Sequence, residues 1–387
     1  MELFMIITFI ICTATVLYAY LGYGTILHLW LRKKKFFIKD LPDDQLPTIT
    51  HVVAAFNEED FIEEKITNCL AIDYPEDKIE TIIITDGSSD RTPEIVSSNL
   101  RVKLMHQPQR QGKLAAMHRA ISTVKSEVTI FSDANAMLNK EAFKKMARHF
   151  QFKDVGAVAG EKQVESSDEQ NAGKGEGLYW KYESYLKKLD YKLHTVVGAA
   201  GELFALRTHL FKVPEKAAII EDFVLTVSLA GEGYRVAYEP EAIAKESGSA
   251  NILEELKRKV RISAGGIQAS WRLRHLLNPF KYGILSFQLF SHRTIRWTLA
   301  PMSLFMIFIS SAILSTTGSV FFQFALWSQV AFYLYAILGY YMDESGRTIK
   351  YGLSIFYFAF MNYSVFLGLM FLIKQREMVL WDKAKRA

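Results

Sequence analysis

From Leu3 to Leu31 the chain reads LFMIITFIICTATVLYAYLGYGTILHLWL, without one Asp, Glu, Lys or Arg. About 20 apolar residues already cross a bilayer core. The run is too long for a secretory signal peptide, lacks a basic start and shows no small-residue cleavage pattern. Residues 1–31 are therefore expected to be a retained membrane anchor. Arg32, Lys33, Lys34 and Lys35 follow at once, which places the next domain on the cytoplasmic side. Residues 32–47, with Pro42 and Pro47, suit a linker.

Three more uncharged runs, 298–317, 319–342 and 351–373, are each long enough to span. They mark residues 298–374 as C-terminal transmembrane helices. Before them, residues 281–297 mix His292, Arg293 and Arg296 with Phe287, Phe290 and Trp297, the pattern of an amphipathic helix at the interface. Three full crossings would put the basic tail, 375–387, outside, against the positive-inside tendency. Either one segment does not cross or the tail breaks the rule; Asn362, Tyr363 and Ser364 make the last run the candidate for a shallow segment.

These runs account for a hydrophobic fraction of 50% and an aromatic fraction of 13%, high for a soluble chain. Cys12 and Cys69 are the two cysteines, so neither a disulfide framework nor a cysteine-rich metal site is available and a reducing compartment fits. A net charge of +5 with scattered or juxtamembrane basic residues argues against nucleic acid as a partner. Anionic membrane lipids or a phosphorylated substrate fit better.

Residues 48–280 have a different texture. HVVAAF, TIIIT, VKLMH, VTIF and VGAVAG are short β-rich runs separated by helical spacings. The alternation predicts an α/β domain with a mainly parallel sheet flanked by helices. Ligands in such sheets bind beyond the carboxyl ends of the strands. Those ends read Phe56-Asn57-Glu58-Glu59, Asp86-Gly87-Ser88-Ser89-Asp90 and Ser132-Asp133-Ala134-Asn135, an acidic rim.

Each piece admits two readings by itself. Asp86 can accept hydrogen bonds from a base or ribose, or form a turn that caps the next helix. Lys113, at a helix start after Gly112, can seat a diphosphate or be merely solvated. Asp133 and Asn135 both offer oxygen on one side of a turn, which suits a divalent cation such as Mg²⁺ or Mn²⁺ shared with phosphate oxygens, or else a plain turn. Glu221 and Asp222 can complement a helix dipole, or Asp222 can act as a general base. Arg258 and Arg261, one helical turn apart, can hold diphosphate oxygens or rest on anionic headgroups.

Taken in order, VVAAFNEED, TDGSSDRT, QGKLAAMHRA, FSDANAML, GAAGELFAL, IIEDFVLTVSLAGEGYRVAYEP and KRKVRISAGG resemble the membrane-bound inverting glycosyltransferases of family 2, which include cellulose, chitin and hyaluronan synthases. The resemblance implies a GT-A fold and a nucleotide-sugar donor, often UDP-linked. It assigns Ala54, Phe56, Glu58 and Asp86 to the nucleoside, Lys113 to the diphosphate, and Asp133 to the first acid of a DxD metal motif. Asp222 matches the base of a TED-like motif, with Glu221 beside it, and Glu202 falls on the acceptor side. Two positions depart from the pattern. Asn135 replaces the second acid of DxD, which weakens a metal ligand. Ile262 stands where the QxxRW motif of processive synthases, matched by Arg258 and Arg261, carries tryptophan.

The expected activity is transfer of a sugar to a polysaccharide precursor or a lipid-linked acceptor by a multi-pass enzyme of the cell membrane. The alternative is a catalytically silent nucleotide-sugar-binding scaffold, for which Asn135 and Ile262 are the motive.

Overall fold

The computed structural model describes residues 1–34, 37–165, 172–214, 218–249, 251–347 and 349–374; the basic tail expected at 375–387 lies outside them. Eight strands form one sheet in the order β3-β2-β1-β4-β7-β6-β8-β5. They are β1 (Ile49–Ala55), β2 (Ile79–Asp86), β3 (Lys103–Gln107), β4 (Val128–Asp133), β5 (Met137–Leu138), β6 (Val155–Glu165), β7 (Leu203–Arg207) and β8 (Arg235–Ser247). The half from β3 to β4 is parallel. β7 then enters antiparallel to both β4 and β6, so the expected α/β sheet is mixed beyond its centre.

The parallel half follows from sequence. Val52, Val53, Ile82, Ile83, Ile84 and Ile130 are wholly buried, as strands covered on both faces require. β7 joins the two halves through side chains as well as backbone: Phe204 stacks on Phe131 of β4 with ring centroids 5.0 Å apart.

Helix Glu2–Leu31 and helices Val320–Glu344 and Gly352–Lys374 are long and apolar enough to cross a membrane, and Ile284–Trp297 with Leu299–Ser315 forms a pair bent by 50°, a broken span or a re-entrant loop. Leu3, Phe4, Ile7, Ile10 and Ile11 are exposed, an apolar surface of the kind that marks a membrane or protein contact. The run expected to be shallow is a continuous helix, Gly352–Lys374. One face of it lies along helix Ile252–Arg272: Ser263 and Ser364 hydroxyls meet at 3.0 Å, and a side chain at Gly368 would stand 2.7 Å from the Ala264 backbone.

The N-terminal helix is tied in equally firmly. Tyr23 donates to the buried Asp190 carboxylate, whose other oxygen meets His292 Nδ1 at 2.5 Å. Glu183, one face along the same helix Ala172–Leu193, pairs with Arg293 at 2.6 Å and with Arg296 at 3.1 Å. Breaking buried pairs of this kind is strongly destabilising, so the long apolar helices and the sheet domain form one packed unit.

Candidate active site

Register brings three strand ends to one level. Ala54 of β1 lies opposite Ile84 of β2 and Asp133 of β4. Just beyond Ala54, the Arg110 guanidinium sits 3.8 Å from the centre of the Phe56 ring, a cation–π stack. The Glu58 backbone N–H donates to the Thr92 hydroxyl at 2.8 Å, fixing this loop against the start of helix Thr92–Ser97.

Asp86 organises the neighbouring loop. Its buried carboxylate accepts the Gln111 and Gly112 backbone N–H groups at 2.8 and 2.6 Å and pairs with Arg119 at 2.7 Å. The cap of helix Thr92–Ser97 comes instead from Asp90, which accepts from the Thr92 N–H and hydroxyl. Gly112 has φ +94°, a region that suits glycine, and it delivers Lys113 to the first position of helix Lys113–Ile121.

Lys113 is the hub. Its ammonium lies 2.6 Å from Asp133 and 3.5 Å from Glu221, and 3.4 Å from the Gly201 carbonyl. A Cβ at Gly201 would stand 2.9 Å from Lys113 Nζ and 3.3 Å from Asp222 Oδ2, so glycine is what lets these groups converge. Burial alone would lower the lysine pKa, but Asp133, Glu221 and Asp222 raise it well above its ordinary value. It stays charged.

Asp222 is driven the other way. Burial, then the neighbouring Glu221 charge, push its carboxyl up to about 7 despite the pull of Lys113. Helix Glu221–Gly231 positions it, buried along its length by Phe223, Val224 and Leu225. A carboxylate with this affinity can hold or release a proton near neutrality.

The Asp133 to Asn135 turn presents one carboxylate and one amide, and among the described residues no group of three His, Cys, Asp or Glu side chains gathers to hold a metal. Mg²⁺ keeps several waters and is bound through one or two carboxylates plus substrate phosphates. This donor set fits that mode and no all-protein cage. Behind the turn, Lys65 is fully buried and donates to the Ala136 carbonyl at 2.5 Å, while Asn68 exchanges two hydrogen bonds with the Leu138 backbone.

A cavity of about 790 Å³ extends from Lys113, Asp133 and Asp222 toward the membrane helices. Glu202, Arg258 and Arg261 also line it, as does Ile262. Glu202 is bound by the buried Lys162 ammonium, which also reaches Glu246. Arg258 is engaged by Glu255 at 3.1 Å and Glu246 at 3.5 Å; Arg261 is exposed. Ala54, Phe56, Glu58 and Asp86 do not line the cavity and belong to the rim beside it.

Lys65, Lys162, Trp180 and Lys187 escaped the sequence reading. The last two carried a signal: Trp180, Glu183, Lys187 and Asp190 recur at spacings of three and four, one face of a helix. All four polar or aromatic groups of that face are turned inward.

Residues 50–213 match the family model Glycosyl transferase family 2. Similar curated proteins include the poly-beta-1,6-N-acetyl-D-glucosamine synthase of Staphylococcus aureus (strain MSSA476), 28% identical over 261 residues, and that of Staphylococcus epidermidis, 26% identical over 258 residues; each match takes in 63% of this chain and 61% of the relative. The chain thus spans about three fifths of the length of these relatives. Among solved structures, a mannosyltransferase from Pyrobaculum calidifontis, in complex with GDP-Man and Mn²⁺, shares the fold with a TM-score of 0.74 at 20% identity, over 95% of this chain and 99% of that one. Residues 50–213 thus match the family 2 glycosyltransferase model, and the mixed sheet belongs to the GT-A fold that this solved structure shares.

Proposed function

We propose that the chain is a membrane-embedded inverting glycosyltransferase, its catalytic domain on the cytoplasmic side, moving a sugar from a nucleotide sugar, UDP-linked in the first instance, to a polysaccharide precursor or lipid-linked acceptor. One observation carries the reading: Asp222 is a half-buried carboxyl raised to about 7 at the wall of a cavity that also takes in Lys113 and Asp133. The relatives named as polysaccharide synthases support the class of acceptor.

In this reading the nucleoside lies across the rim formed by Ala54, Phe56, Glu58 and Asp86. A divalent cation, Mg²⁺ or Mn²⁺, would be held by Asp133 with Asn135 beside it and would neutralise charge on the diphosphate. Lys113, which bonds Asp133 and Glu221, would supply positive charge to the diphosphate oxygens, together with Arg258 and Arg261 of the cavity lining. Asp222 takes the proton of the acceptor hydroxyl as its oxygen attacks the anomeric carbon from the face opposite the departing diphosphate. Glu202, held ionised by Lys162, orders the acceptor side of the cavity.

The direct test is nucleotide release from a set of UDP-sugars and GDP-sugars by the purified full chain. Asp222→Asn should cut transfer by about 10² to 10⁴-fold while leaving donor binding in place; unchanged transfer would remove Asp222 as the base. Asn135→Asp, which adds a second charged oxygen, should tighten cation binding by roughly tenfold in a titration of the full chain with Mn²⁺. No change would leave Asn135 a turn residue.

A further inference from the structure

Three lysines surround one indole inside the cavity. The ammonium groups of Lys162, Lys187 and Lys259 lie 5.3, 5.8 and 5.8 Å from the centre of the Trp180 ring. Two of them have counter-ions: Glu202 and Glu246 for Lys162, and Glu255 at 3.1 Å for Lys259. Lys187 differs. It is 2% exposed, its Nζ has no hydrogen-bond partner, and the Trp180 and Tyr238 rings, the latter at 5.6 Å, are what it faces.

The surrounding carboxylates are engaged elsewhere. Glu183 is taken by His292, Arg293 and Arg296, Glu161 by the Ser184 and Tyr238 hydroxyls, and Glu202 by Lys162. Aromatic faces return only part of what burying an ammonium costs. Burial lowers the hold of Lys187 on its proton and outweighs Glu183, Glu161 and Glu202, which act on it through space without bonding it. The partner its Nζ lacks is therefore sought in a ligand, because Lys187 lines the same cavity as Asp222.

Part of the lining of that cavity is apolar: Val16, Leu17 and Leu21 of the N-terminal helix and Phe358, Met361 and Val365 of helix Gly352–Lys374. A ligand filling it from end to end would set a hydroxyl at Asp222, an anionic group at Lys187 and a hydrocarbon chain between two membrane helices. Trp180 offers the flat surface on which a head group can rest, in the cavity where Ile262 supplies no aromatic ring.

We propose that Lys187 and Trp180 form an acceptor subsite for a lipid whose head carries both a phosphate and a free hydroxyl. The inference rests on the reading of Asp222 as the base and names the acceptor class for that site. The phosphate is a handle and does not react. The bond that forms joins the head-group hydroxyl oxygen to the anomeric carbon. The bond that breaks joins that carbon to the donor diphosphate, which leaves with the electron pair, and the hydroxyl proton passes to Asp222.

The test uses the full chain in a neutral detergent and three probes: dodecyl phosphate, inorganic phosphate and dodecyl glucoside. Dodecyl phosphate should bind at least tenfold more tightly than either of the others, since it alone supplies head and tail together. Lys187→Met should weaken dodecyl phosphate at least tenfold and leave nucleotide binding unchanged, while Lys187→Arg restores most of the affinity. Equal binding of inorganic phosphate, or wild-type affinity in Lys187→Met, would overturn the subsite. Loss of this binding with Asp222-dependent transfer intact would sink the subsite alone; inert Asp222 with the binding intact would sink the proposed base alone.

Discussion

Glu202 and Asp222 line one cavity and are both half-buried, yet they are set to opposite ends of the carboxylate range. Burial raises both. For Glu202, the Lys162 ammonium and then Arg258 more than reverse that rise and hold the carboxyl well below its ordinary value. For Asp222, the first neighbour is another carboxylate, Glu221, and Lys113 must divide its charge among three acids. Burial alone therefore does not make a base; the sign and loyalty of the nearest charge decide. Sites in which environment drives paired titratable groups apart are where acid and base roles separate.

The comparison breaks most visibly if Lys162 is removed. Lys162→Met leaves Glu202 and Glu246 facing each other without their cation, and should cost about 3 to 5 kcal/mol of stability, read as a lowered midpoint in chemical denaturation. Adding Glu202→Gln should recover part of that loss. A smaller effect is expected on the other carboxyl. In the proposed mechanism Asp222 must be ionised to accept a proton, so kcat/KM should fall as pH drops through about 7. Glu221→Gln removes the charge that helps raise it, so the falling limb should move to lower pH; a limb that stays in place would mean that Glu221 does not set the base.

The smallest effect concerns stability, and its sign differs for the two groups. Asp222 binds its proton more tightly folded than at its ordinary value of 3.8. Its contribution thus worsens as pH rises from about 4 to about 7. Glu202 does the reverse, stabilising the fold above about 4.5 and losing that contribution on acidification. Asp222→Asn should accordingly raise the melting temperature at pH 8 by about 2 to 4 °C, with little gain at pH 4. An equal gain at both values would show that packing, not charge, is responsible.

The parallel half of the sheet was legible because its strands are buried on both faces and end on acids. β8 was not, since it carries Pro240, a residue that argues against an interior strand. The structure accommodates the proline where the β6 to β8 pairing slips, between Ala159 opposite Tyr238 and Glu161 opposite Ile243. β7 lay within the GELFAL segment, where a five-residue strand is too short for alternation to show. In the site, Lys113, Asp133 and Asp222, which the resemblance named one by one, come together. Trp180 and Lys187 were hidden by chemistry of the ordinary kind: a helix rich in lysine and glutamate reads as solvated until membrane helices, remote in sequence, close over it.

That closure has a consequence in time. The rim and Asp222 are complete once the chain has been synthesised through the sheet domain, but Ser354, Tyr357, Phe358, Met361 and Val365, which wall the cavity opposite them, emerge only after Val320–Glu344 has been threaded. Under the proposed function, a nascent chain would therefore possess its donor half before the cavity that receives the acceptor is complete, and packing of helix Gly352–Lys374 against helix Ile252–Arg272 would be the step that finishes it.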